Sequence, residues 1–193
     1  EEYEWDSIFA DAQWLHISGI TLAISETAAH AAILAAKKAQ AAGVKVSCDL
    51  NFRKNLWRWR SGSDARSLAR SIMPDFLENV NVIIGNEEDA ADVLDIHAGD
   101  TDVHSGSLEI AHYPDVARQI AQRFNNVDQV AITLRESISA THNNWGAMLF
   151  DVCSDTAVFA PMNGEQYEPF EIRNIVDRVG GGDSFAAGLI YAM

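Results

Sequence analysis

No apolar run in this 193-residue chain approaches the roughly 18 residues that a membrane-spanning helix needs. Cysteine is almost absent. Cys48 and Cys153 stand alone, with no C-x-x-C and no His/Cys cluster, which argues against a disulfide framework or a structural zinc and fits a reducing cytosol. Glu1, Glu2 and Glu4 do not read as a secretory signal, so the expectation is a cytoplasmic protein. Basic residues are scarce, and the formal net charge of −14 describes a surface that repels nucleic acid and anionic membranes. Internal repeats and low-complexity linkers are missing too. So are two fingerprints: the early G-x-G-x-x-G with an acid about 20 residues on, and the Gly-Lys-Ser/Thr of a Walker A loop. Without the first, a nicotinamide-dependent oxidoreductase is excluded.

What is present is a soluble globular pattern, 48% apolar and 22% charged, long enough for one sizeable buried core. "QWLHIS" (13–18) predicts a buried strand. A helix follows over 25–42, with Ser25 as N-cap and Gly43 as the C′ residue. "VKVSCDL" (44–50) predicts a strand, "SDARSLARSIM" (63–73) a helix stopped by Pro74, "NVIIG" (81–85) a strand and "NEEDAADVLDI" (86–96) a helix. The polar stretch 97–112 reads as a loop or insertion. Pro114 opens a helix to about Phe124 from its N1 position. "QVAITL" (129–134) is a strand, and "GAMLFDV" (146–152), "TAVFAP" (156–161) and "YEPFEIRNIV" (167–176) suit a small antiparallel set. The last helix starts near Gly181. Strand alternating with helix argues a layered α/β fold with a mostly parallel sheet, where ligands sit beyond the carboxyl ends of the strands.

Three polar clusters fall at such ends. In "CDLNFRKNLW" (48–57), strand alternation would put Asp49, Asn51 and Arg53 on one face, a set suited to a polyol or sugar acid; it reads equally as an internal Asp–Arg salt bridge. The basic residues concentrate here, with Arg53, Lys54, Arg58 and Arg60 close together. In "IIGNEEDA" (83–90), Asn86 suits a helix N-cap with Asp89 three residues on, and the acidic mouth could also hold Mg²⁺ through water. In "DRVGGGDSFAAGLIYAM" (177–193), Gly180, Gly181 and Gly182 can curl their N–H groups toward one point at a helix N-terminus, making an anion cradle. Asp183 at its rim would not bind the anion; it suits the uptake of a proton from an attacking hydroxyl. A plain glycine turn with a first-turn acid is the alternative. The small residues Ser184, Ala186, Ala187 and Gly188 read as a face for close helix–sheet packing. His16 reads as structural, in the core or near the sugar and not as a ligand, and Trp57 and Trp59 as packing under the basic loop.

The closing stretch resembles the second signature of the ribokinase-like (PfkB-type) carbohydrate kinases, D-T-x-G-A-G-D. Asp177, Gly180, Gly182 and Asp183 match, while Arg178 replaces the threonine and Gly181 the alanine. "GNEEDAADVL" resembles the family's N-x-x-E element, with Asp89 in the glutamate position and Glu88 adjacent. "AITLRESISA" resembles the nucleotide-contacting strand and loop, T-L-G-x-x-G. Thr133 and Leu134 match; Arg135 and Ser137–Ser139 stand in place of glycines, and Arg135 either assists phosphate charge or pairs with Glu136 at the surface. With "HISGIT" and "VSCDLNFRKNLW", the chain resembles the 2-keto-3-deoxygluconate kinase branch.

The resemblance implies a ribokinase-like layered α/β/α fold over residues 1–193. It implies ATP and Mg²⁺ as cofactors, a small sugar acid as substrate, and phosphoryl transfer to the 6-hydroxyl of 2-keto-3-deoxygluconate. By the same resemblance Asp183 is the general base and the Gly180, Gly181 and Gly182 amides form the anion hole. Arg53, Asn51 and Asp49 bind substrate. Asn86, Thr133 and Arg135, with Gly180 and Gly182, bind nucleotide, and Asn86 and Asp89 lie near the metal. Arg178 touches phosphate or faces solvent. Other family members act on fructose, nucleosides or other hexonates. The resemblance further implies that a lid region before the chain and an adenine-pocket region after it are lacking. The expectation is a partial kinase domain, its central and nucleotide-binding portion, with exposed surface open to homo-oligomer formation and with nucleotide binding without turnover as its alternative function.

Overall fold

Capping and burial enforce each alternation of strand and helix in the computed structural model, which describes residues 3–97 and 110–193. A short helix α1 (Trp5–Phe9) leads into strand β1 (Trp14–Ser18). Ser18 then caps α2 (Gly19–Ile24), and Ser25 caps α3 (Glu26–Ala41) by accepting the Ala28 N–H. Gly43, at φ +75, takes the left-handed conformation that ends α3. There follow β2 (Lys45–Asp49), α4 (Ala65–Leu77), β3 (Val82–Gly85), α5 (Glu87–Leu94), a 3-10 turn (Ile110–His112) and α6 (Tyr113–Arg123). A long hairpin of β4 (Gln129–Ser139) and β5 (His142–Asp151) leads to β6 (Thr156–Ala160). The two-residue strands β7 (Met162–Asn163) and β8 (Gln166–Tyr167) form a ladder of their own. Then come β9 (Phe170–Arg173) and the last helix, α7 (Gly181–Ala192).

The main sheet has seven strands. β1 to β4 lie side by side and parallel, while β5 runs antiparallel to β4 and pairs antiparallel with both β6 and β9. Alternation sorts the side chains to two faces. One face carries Val46, Cys48, Ile83, Val130 and Ile132 and packs on α2 through α6 in the main core. The other carries Val82, Ile84 and Ala131, against which α7 buries Ala186, with Phe185 and Leu189 alongside. The layers are therefore helix, sheet, helix. No helix among the described residues is long and apolar enough to cross a membrane.

Several local expectations are corrected. Pro74 does not stop α4; it lies inside it. The proline removes one helical N–H, but Met73, Phe76 and Leu77 bury fully and hold the turn, and the Glu78 N–H bonds the Pro74 carbonyl. Pro114 is the second residue of α6, after Tyr113. Residues 135–139 continue β4 instead of forming a loop, because β5 supplies register partners, among them Trp145 for Arg135 and Asn143 for Ser137. Of the small residues on α7, only Ala186 is buried; Ser184, Ala187 and Gly188 are exposed. Of the loop expected over 97–112, residues 98–109 lie outside the described residues, and 110–112 form the 3-10 turn. Helices α1 and α2 had no sequence expectation.

Candidate active site

The first cluster departs from its strand reading. β2 ends at Asp49, and Asn51 has φ 37, a left-handed conformation that breaks the alternation. Asp49, Asn51 and Arg53 therefore do not share a strand face. The chain can turn here because Gly19 lies against it: a Cβ on Gly19 would sit 2.1 Å from the Leu50 carbonyl oxygen. Asp49 instead meets β1. It accepts the Ser18 hydroxyl at 2.7 Å and faces His16 Nε2 at 3.0 Å. His16 Nδ1 lies 2.8 Å from Ser47 Oγ, which also accepts the Trp14 indole N–H at 2.8 Å. The Asn51 amide reaches Ser18 Oγ at 3.5 Å. Where an Asp–Arg pair was the alternative at this strand end, His16 is the partner of Asp49 and Arg53 is exposed.

The second cluster is a capping box. Asn86 accepts the Asp89 N–H at 2.8 Å, and Asp89 accepts the Asn86 N–H at 3.3 Å. Asp89 also accepts the Phe52 N–H at 3.0 Å, so it stitches α5 to the segment after β2. Burial raises its carboxyl above the usual range, against the pull of the Phe52 and Asn86 amides and of the Arg53 guanidinium. The charge of Arg53 thus reaches Asp89 and joins the first two clusters.

The third cluster is the start of α7. Gly180, at φ +80, is its N-cap, and its carbonyl accepts the Ser184 N–H at 2.8 Å. The amides of Gly181, Gly182 and Asp183 precede that first helical bond and point out of the helix at its positive end. A Cβ placed on Gly180 or Gly182 would meet nothing within 4 Å, so nothing packs on these two glycines. Asp183 projects toward β1 and β2. It lines, with Ala187 and Tyr191 one and two turns on, a cleft of about 610 Å³ whose opposite wall is His16, Ser18 and Asp49. Arg53, Asn86 and Asp89 are not among the residues lining it.

On β4, Thr133 donates weakly to the Gly85 carbonyl at 3.4 Å, and Arg135 is exposed on the α7 face beside Trp145, which lies 3.9 Å from a Cβ built on Gly181. Glu136, on the opposite face, accepts from the Asn144 amide, so the surface pairing of Arg135 with Glu136 does not form. Arg178 is exposed, as its solvent-facing alternative expected, and is not among the residues lining the cleft. Its guanidinium donates to the carbonyls of Ser139 and Ala140, tying the approach to the glycines to the tip of the β4–β5 hairpin. Trp57 is buried and the Trp59 indole donates to the Leu22 carbonyl, as packing under the basic loop requires.

Sequence reasoning undervalued His16. The signal was there: Trp14, His16 and Ser18 on one strand, and Ser47 and Asp49 on another, place polar side chains at alternate positions of apolar strands.

No protein-family model matches the chain. It is 29% identical over 184 residues to a 2-dehydro-3-deoxygalactonokinase of Haloferax volcanii, covering 95% of this chain and 45% of that protein. It superposes with a TM-score of 0.79 on a 2-dehydro-3-deoxygluconokinase from Thermotoga maritima, at 39% identity over 98% of this chain and 51% of that one. A PfkB family carbohydrate kinase from Listeria grayi shares the fold, with a TM-score of 0.77 at 24% identity over 99% of this chain and 51% of that one. The chain spans about half the length of these relatives. By fold and by sequence, the chain is similar along nearly its whole length to part of these ribokinase-like, PfkB-type carbohydrate kinases.

Proposed function

We propose that residues 1–193 are the central and nucleotide-binding portion of an ATP-dependent kinase domain, which transfers the γ-phosphoryl group of ATP to the 6-hydroxyl of 2-keto-3-deoxygluconate. The observation that carries this reading is the shared cleft: Asp183, beside the glycine amides of α7, faces Asp49 and Ser18 on the sheet. Similarity to the Thermotoga protein, a kinase of 2-dehydro-3-deoxygluconate by name, supports the substrate class.

In the proposed mechanism the sugar acid lies in the cleft, with Arg53 and Asn51 orienting its carboxylate end and Asp49 its hydroxyls. Asp183 accepts the proton of the attacking hydroxyl. The N–H groups of Gly180, Gly181 and Gly182 hold the transferring phosphoryl and offset its charge in the transition state. Thr133, Arg135 and Asn86 lie along the side where ATP would bind. Mg²⁺, when bound, neutralises phosphate charge. Both Asp89 oxygens already accept backbone N–H groups and Asn86 Oδ1 caps α5, so this pair suits a hydrated ion and not direct coordination.

A coupled ADP-release assay on the whole protein, at the length of its relatives, tests the reading over a panel of 2-keto-3-deoxygluconate, its galacto epimer, fructose and a nucleoside. Turnover should favour the two sugar acids. Preference for fructose or the nucleoside would replace the substrate assignment with another branch of the family. For the 193 residues taken alone, the alternative is nucleotide binding without turnover. Calorimetry with ATP and Mg²⁺ beside the ADP-release assay on the 193 residues separates the two cases: binding with no ADP release is the second.

A further inference from the structure

We propose that His16 is a positioning residue, fixed by a relay from Trp14 through Ser47, and that it makes the sheet side of the cleft a wall of hydrogen-bond acceptors that takes the hydroxyl end of the substrate. The proposal rests on the sugar-acid kinase reading and deepens it by giving His16 the task of holding Asp49 toward the substrate hydroxyls.

The donors can be counted. The Trp14 indole nitrogen only donates, so Ser47 Oγ accepts from it at 2.8 Å. A carboxylate only accepts, so His16 Nε2, 3.0 Å from Asp49 Oδ2, carries a proton. In the neutral ring Nδ1 is then bare, and the Ser47 hydroxyl, 2.8 Å away, donates to it. The other neutral tautomer would set a bare Nε2 against the Asp49 oxygen. The Ser18 hydroxyl proton is likewise spent, on Asp49 Oδ1 at 2.7 Å. Ser18 Oγ also accepts from the Ile20 N–H at 3.3 Å and the Asn51 amide at 3.5 Å, so what this set leaves toward the cleft is the second lone pair on each Asp49 oxygen.

An acceptor-only wall binds hydroxyl hydrogens and repels a carboxylate. A sugar acid therefore enters with its hydroxyl end between Asp49 and Asp183, the two carboxylates that line the cleft, and with its acid end turned away from both. That orientation delivers a hydroxyl to Asp183. His16 touches no substrate atom in this arrangement; it acts by holding the Asp49 carboxylate in one plane.

Two measurements test this. Long-range ¹H–¹⁵N correlation of the histidine rings in the purified 193-residue chain should show His16 protonated at Nε2 and bare at Nδ1, with Ser47→Ala weakening that preference and Asp49→Ala weakening it more. A neutral ring protonated at Nδ1 overturns the relay. In the whole protein, His16→Phe should raise KM for the sugar acid about tenfold, the scale of one lost hydrogen bond to a charged group, with KM for ATP unchanged. His16→Gln, which keeps an N–H donor, should recover part of the loss and guards against a Phe variant that fails to fold. An unchanged sugar-acid KM, or equal effects on sugar acid and ATP, overturns the positioning role. If the wild-type whole protein turns over no sugar acid, the kinase reading falls, and the ring tautomer alone decides the relay.

Discussion

At the scale of single residues, Asp183 carries the heaviest chemical demand. It sits in the first turn of α7, where a carboxylate favours the positive helix end, yet it is exposed and aimed at a cleft rather than engaged as a cap. Asp183→Asn keeps the shape and removes the proton acceptor. In the whole protein this change should lower kcat on the sugar acid by ~10²–10⁴-fold, with ATP affinity nearly unchanged in a direct binding measurement. Retained turnover would remove Asp183 from the mechanism. Asp89 shows the opposite case. The sequence alone allowed a cap or a metal-side acid, and the cap is plainly formed. The signal for the cap was local, three residues apart, whereas its bond to the Phe52 amide spans 37 residues and left no trace in the pattern.

At the scale of elements, local chemistry was legible and tertiary overrides were not. Ser25, Gly43 and Asn86 do at their helix ends what their side chains and conformations dictate. Pro74 broke that logic because its neighbours Met73, Phe76 and Leu77 gain more by burial in the helix than the missing N–H costs. Strand β4 outran its apolar stretch because β5 pairs with it through polar residues, a contact that no single-strand pattern encodes. The start of α4 supports a pH prediction. Asp64 caps it, and the Ser67 hydroxyl, with the Ser67 and Arg66 amides, holds its carboxyl below the usual value. A carboxyl lowered in the folded state contributes stability above its unfolded pKa, and that contribution disappears as pH falls through the lowered folded value. Asp64→Ala should therefore reduce the melting temperature at neutral pH, and the gap between variant and parent should close in acid, below the ordinary carboxylate range. A gap that is constant with pH would show that the charge plays no part in the cap.

At the scale of the whole molecule, the two faces of the sheet are unequal, and the candidate site lies on the thinner side. Parallel strands are ordinarily covered on both faces. Here five helices pack one face of the sheet, while α7 buries Ala186 alone on the other, and Val179 and Tyr191 at its two ends are 91% and 94% exposed. The alternation of strand and helix made the layers legible in the sequence. The thinness of the second layer was not, because it depends on how little of α7 meets Val82, Ile84 and Ala131. Local stability follows buried contact, so α7 should open at far lower free energy than β2 or α3. Hydrogen exchange on the 193-residue chain should then show the α7 amides exchanging well before those of α3, whose Ala29, Ala36 and Ala39 are fully buried. Arg178, tied to the Ser139 and Ala140 carbonyls, anchors the approach to the cradle, so Arg178→Thr should further speed exchange of the hydrogen-bonded α7 amides, from Ser184 onward. A ligand that binds only the docked helix stabilises it by mass action, so ATP with Mg²⁺ should slow exchange in α7 and leave α3 unchanged. If α7 were as protected as α3 without ligand, the second layer would be stronger than its single buried alanine allows. If nucleotide left α7 unaffected, the glycine amides would lose their proposed part in holding phosphate.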